Sequence, residues 1–115
     1  MTPQEVEAVV ALWREVPTAQ RPELKQDEGL FCLVGIGEIT LVTSDEAQDL
    51  IVGHLRKWME KRCDDFSIRR HKGIGYIVAW DLAGQDQPHG GVCTDSLIIS
   101  MTAAVMSVAA TEAGR

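Results

Sequence analysis

Apolar residues recur at helical spacing in some stretches of the chain and alternate in others, and these periods predict its elements. Val6, Val9, Val10, Trp13 and Val16 share one side of a helix, with Glu5, Glu7, Arg14 and Glu15 on the other. Ahead of them stands Thr2-Pro3-Gln4-Glu5: a hydroxyl that accepts from free amides, a proline where no N–H is needed, and a glutamate that reaches back. Pro17 ends the run, so residues 3–16 are expected to form an amphipathic helix. Thr43-Ser44-Asp45-Glu46 repeats the capping logic. The second helix that follows carries Ala47, Leu50, Ile51, Leu55, Trp58 and Met59 as its stripe and ends near Cys63.

Alternation marks Phe66–Arg70 and Tyr76–Leu82 as strands of a hairpin turning at His71-Lys72-Gly73-Ile74-Gly75, with Tyr76, Val78 and Trp80 on one face. Leu30–Val34 and Ile39–Val42 flank Gly35-Ile36-Gly37 and read either as a second hairpin or as one bulged strand. The hairpin is favoured, because two glycines in one bend relieve the cost of positive φ. Residues 17–29 are polar and read as a surface connection. Residues 83–93, with Gly84, Pro88, Gly90 and Gly91, read as a Gly-rich loop. A last helix, capped by Thr94 or Asp95, runs from Ser96 to Thr111 ahead of a frayed tail at 112–115. The two Gly-Ile-Gly bends raise the idea of a duplicated half-domain, on a short match alone.

The elements add up to one small α+β domain over residues 1–115. Its order is α-β(β)-α-β-β-α, with an antiparallel sheet of three to five strands in two hairpins packed against three helices.

The length of 115 residues suits a single core, and a composition 45% hydrophobic and 24% charged excludes collagen, coiled coil and wholesale disorder. Three cysteines, Cys32, Cys63 and Cys93, make an odd count without paired spacing, which argues against a disulfide framework. The first residues hold no basic region followed by an apolar run, so a reducing, cytoplasmic setting is expected. Val92–Ala110 is the most apolar segment, but Asp95 and several Ser and Thr residues interrupt it; it reads as a buried helix and not as a membrane anchor.

Net charge is −6, a field that repels nucleic acid and anionic lipid. Between His54 and Lys72, seven bases oppose three acids, so this stretch is +4 and the remainder −10. The bases, Arg56, Lys57, Lys61, Arg62, Arg69, Arg70 and Lys72, are candidates for binding an acidic protein or, against the overall field, nucleic acid. The bland alternative is a solvated helix face and a charged hairpin edge that discourages strand addition.

Two further candidates carry chemistry. In Pro88-His89-Gly90-Gly91-Val92-Cys93 a glycine pair leading into a helix start could cradle an anion, and His89 could serve as base to a Cys93 thiolate. The competing reading makes Cys93 a small hydrophobe and the glycines a plain turn. A metal site would need a scattered set from Cys32, Cys63, Cys93, His54, His71 and His89, of which only His89 and Cys93 have chelate spacing; none is expected, nor any cofactor. His54, on the stripe between Ile51 and Leu55, reads as a core or interface histidine.

The last helix is apolar nearly all round and needs cover on most sides. A single modest sheet covers one side. The expectation is therefore a non-enzymatic protein that works by protein association, as a homodimer through Leu97, Met101, Ala104, Val105 and Val108.

Overall fold

The computed structural model describes residues 2–16, 23–27, 30–34, 39–40, 45–82 and 89–114, with side chains for 2–16, 48–82 and 90–114. Its elements are α1 (Pro3–Glu15), β1 (Glu23–Asp27), β2 (Leu30–Val34), β3 (Ile39–Thr40), α2 (Asp45–Arg62), β4 (Cys63–His71), β5 (Gly75–Leu82), β6 (His89–Thr94) and α3 (Leu97–Ala113). This is the α+β domain the patterning predicts, with the order helix then antiparallel three-stranded meander occurring twice before the final helix. Strand order is β1-β2-β3 in one sheet and β4-β5-β6 in the other.

Thr2 opens α1 as a complete capping box: the Glu5 amide donates to Thr2 Oγ1 at 3.2 Å, and the Thr2 amide donates to Glu5 Oε1 at 2.8 Å. At the other end of the chain, α3 is capped by Ser96 and not by Thr94 or Asp95, its Oγ accepting from the Ile99 amide at 3.2 Å. Thr94 is unavailable because it closes β6, with Oγ1 donating to the Ser96 carbonyl at 2.7 Å. Helical hydrogen bonding persists through Ala113, so Glu112 and Ala113 belong to α3 and not to a frayed tail.

Two segments read as connections are strands. Glu23–Asp27, inside the expected surface connection, pairs with β2 from Glu23↔Val34 to Asp27↔Leu30, a ladder that its polar composition conceals. Cys32↔Thr40 and Leu33↔Ile39 then make β2 and β3 a hairpin, while its turn at 35–38 and residues 41–44 lie outside the described residues. The expected loop at 83–93 contains β6, which pairs with β5 from Asp81↔His89 to Tyr76↔Thr94. Gly90 explains the disguise. It lies directly opposite Trp80, and a Cβ there would fall inside the Trp80 indole, so the strand needs glycine for room. In the β4–β5 turn, Gly73 and Gly75 take positive φ, and a Cβ at Gly75 would meet the Thr94 carbonyl.

The core lies between the second sheet and the helices. Val78, Trp80 and Leu82 of β5 meet Ile98, Met101 and Val105 of α3, flanked by Val9, Leu12 and Trp13 of α1 and by Ile51, Leu55 and Met59 of α2. α3 touches β5 and β6 beneath and α1 and α2 at its sides. That enclosure corrects the expected homodimer contact: Met101, Ala104, Val105 and Val108 are at most 2% exposed within a single chain, and Leu97 is half-buried against the same core. Three walls cover what one sheet could not, because α2 turns its stripe onto α3.

Buried polar groups tie the layers together. Ser100, fully buried in α3, accepts from the Thr94 amide at 3.1 Å and lies 3.0 Å from the Tyr76 carbonyl and 2.6 Å from Thr94 Oγ1. Ser96 Oγ donates to Glu5 Oε2 at 2.8 Å, so one carboxylate serves the caps of both α1 and α3.

Ala104→Glu is expected to unfold the chain by several kcal/mol, since it buries an unpaired carboxylate; denaturant titration reads this, and a folded protein with altered oligomeric state would contradict the enclosure of α3. Gly90→Val should cost about 1–3 kcal/mol through overpacking on Trp80, whereas Gly91→Ala, whose Cβ meets only the Val78 carbonyl at 3.8 Å, should change the denaturation midpoint little.

Candidate functional site

The residues offered for thiol chemistry separate in the fold. Cys93 is exposed on β6, its Sγ 3.7 Å from the Ile74 carbonyl, and α3 begins beyond Asp95 and the Ser96 cap. Gly90 and Gly91 sit in the ladder opposite Trp80 and Ala79, so they form no cradle at a helix start. His89 lies four residues away along an extended strand, which separates the two Cα atoms by about 13 Å at the usual rise. Helical chelate spacing does not apply there; the His89 side chain itself lies outside the described residues.

No group of three or more potential metal ligands occurs among the described residues. Cys63 is half-buried, and burial, with Glu112 next, pushes its thiol up. His71 is exposed at the end of β4, and Cys32 has no described side chain. No described helix is long and apolar enough to cross a membrane.

The seven bases do not gather into one patch. Arg56 pairs with Glu60 at 3.1 Å on the open side of α2. Arg62 is held three ways: its guanidinium stacks 3.7 Å above the Trp58 ring, donates to the Trp58 carbonyl at 3.2 Å, and meets Glu112 at 3.3 Å, which fastens α2 to the end of α3. Trp58 thus already carries a cation. Alternation sends Arg69 and Arg70 to opposite faces of β4, with Arg70 5.9 Å from the Tyr76 ring centroid, and Lys72 sits in the turn. Lys57 and Lys61 are exposed on α2.

His54 is half-buried where α1 and α2 meet, its ring 5.9 Å from that of Trp13, beside a shallow groove that Leu12, Leu55, Trp58 and Val105 also line. Burial, then the neighbouring Lys57 and Lys61, lowers its pKa below the ordinary histidine value. Glu5 lines a wider, open cleft between the starts of α1 and α3. Burial raises its pKa, but hydrogen bonds from the Thr2 amide, Ser96 and Thr2 outweigh this and hold it low. Among the described residues, the cleft lining contains no cysteine, histidine or lysine.

The remaining surface is the outer face of the second sheet. α3 contacts β5 and β6 and α2 contacts β4 on the inner side of this layer, where Phe66, Ile68, Val78, Trp80 and Val92 join the core. Register places Asp65, Asp81 and the backbone of His89 in one row, then Ser67, Ala79 and Gly91, then Arg69, Ile77 and Cys93, all on the outer side. Asp65, Asp81 and Arg69 are exposed, and none has a hydrogen-bond or ion-pair partner among the described residues. Like charges directly opposite on a sheet cost a few tenths of a kcal/mol or more, roughly. Arg69 stands out in the sequence as one of a run of bases, whereas Asp65 and Asp81 do not, because their pairing depends on register.

No family model, curated protein or solved structure matches this chain.

Because His54 binds its proton less readily when folded, the native state holds fewer protons than the unfolded one below pH of about 6.5. Stability should therefore fall as pH drops through that value towards the folded pKa, and His54→Gln should flatten this part of a melting-temperature profile. An unchanged slope in the variant would remove the assigned role of His54.

Proposed function

We propose that the chain works by protein association and not by catalysis, in the cytoplasm, with a further copy of itself as partner. The observation that carries this reading is the outer face of β4–β5–β6, which bears three charges, Asp65, Asp81 and Arg69, without a hydrogen-bond or ion-pair partner among the described residues. Antiparallel sheets commonly leave one face to water, so the unpartnered charges, more than the exposure, favour a contact. The apolar face of α3 no longer supplies the interface, since its residues serve the core.

Two observations weigh against the alternatives. Four extended residues separate the backbones of His89 and Cys93, which disfavours a thiol–imidazole pair along β6. The bases divide between α2, two faces of β4 and a turn, so an anionic partner finds no continuous track; Arg56 and Arg62 are moreover occupied by Glu60 and Glu112. Sheet-borne association draws on residues from one rigid element instead.

Sedimentation velocity of the full chain from about 10 μM to about 1 mM, spanning the affinities of weak interfaces, is expected to show the sedimentation coefficient rising with concentration. A monomer throughout this range would defeat the self-association reading.

A further inference from the structure

We propose, building on the association reading, that two copies dock through the outer faces of β4–β5–β6 about a two-fold axis lying between the faces and running across the strands. The charges select this axis. Asp65 and Asp81 stand at one end of the face and Arg69 at the other, four residues along β4, or about 13 Å. Two faces can be apposed symmetrically in two simple ways. An axis along the strands lays acid on acid and base on base. An axis across them reverses one copy end for end and brings Asp65 of each copy over Arg69 of the other, twice, as a two-fold contact requires.

The middle of the face agrees with this placement. Midway between Asp65 and Arg69 lies Ser67, in one row with Ala79 and Gly91. At the symmetry centre each of these meets its own kind, and small side chains let the sheets approach without a clash. Ile77, beside Arg69 in the register, then lies near Asp81 of the second copy along β5. Asp65, without a partner among the described residues, gains Arg69 of the second copy, and that one cation also stands a strand's width from Asp81.

The face is small. Three strands about 4.8 Å apart span roughly 14 Å, and the six paired residues of β5 and β6 run for about 20 Å, which makes a face of about 280 Å², well short of the area of about 800 Å² per partner in a stable complex. The dimer is accordingly weak, and its exposed charge pairs make it weaker at high salt.

The test uses charge reversal on the full chain. Asp65→Arg leaves only cations at both ends of β4's outer face, and Arg69→Asp leaves only anions. Each variant alone is expected to lose self-association by about tenfold or more, the size of a modest unfavourable charge contact. An equimolar mixture is expected to recover it as a heterodimer, and so is the double variant carrying both substitutions. Circular dichroism checks that each variant stays folded, which both exposed positions favour; Asp65→Asn provides a milder variant with a smaller expected loss. Wild-type association that neither reversal alters would overturn this face while leaving the association reading intact. Loss in both single variants without recovery in the mixture would overturn the assigned axis. A wild type that stays monomeric would overturn both readings.

Discussion

Everything in this fold answers to one helix that has almost no polar side. α3 carries Ile98, Met101, Ala104, Val105 and Val108 along one broad side, all excluded from solvent, with Ser100 and Thr102 buried beside them, so it is stable only where several neighbours meet that side. The chain supplies those neighbours from three separate stretches: β5 and β6 below, α1 on one flank, α2 on the other. Their stripes are amphipathic in the ordinary way, apolar towards α3 and charged outward. The central element therefore dictates where every other element with a described side chain must point.

Hydrophobic burial alone would leave such a rod free to slide or turn, and the buried hydroxyls restrict that freedom. Ser100 joins α3 to the backbone of β5 and to Thr94 at the end of β6, and Ser96 joins the cap of α3 to Glu5 in α1. Each contact works only at one axial position. At the far end Arg62, between the Trp58 ring and Glu112, plays the same part for α2. Polar groups in an apolar interior cost energy unless satisfied, and here that cost enforces register.

The sequence discloses local features well and nonlocal ones poorly. The box at Thr2 and Glu5, the stripe of α1 and the hairpin at Gly73–Gly75 were legible because each depends on residues a few positions apart. β6 was not, since Gly90 looks like a chain breaker until Trp80, ten positions earlier, is known to lie across from it. β1 was hidden by its charges, which an edge strand tolerates. The cover on α3 was undercounted because the stripe of α2 reveals that it is buried, but not against what. For the outer face the obstacle was the same: Asp65 and Asp81 are sixteen residues apart and become neighbours only through the ladder.

α2 ends at Arg62 and β4 begins at Cys63, so helix passes into strand with no linker between them. Period three-point-six gives way to period two at one peptide bond, and the phase of the first sets the phase of the second. An insertion of one residue within β4 would exchange its two sides, sending Phe66 and Ile68 to water and the acids into the core. The register shift between Cys63 and Asp65 is the single irregularity in this ladder, and bulges are where strands absorb an odd residue. Length variation in this part of the chain should thus be confined to that one joint, which acts as the expansion gap of an otherwise rigid track.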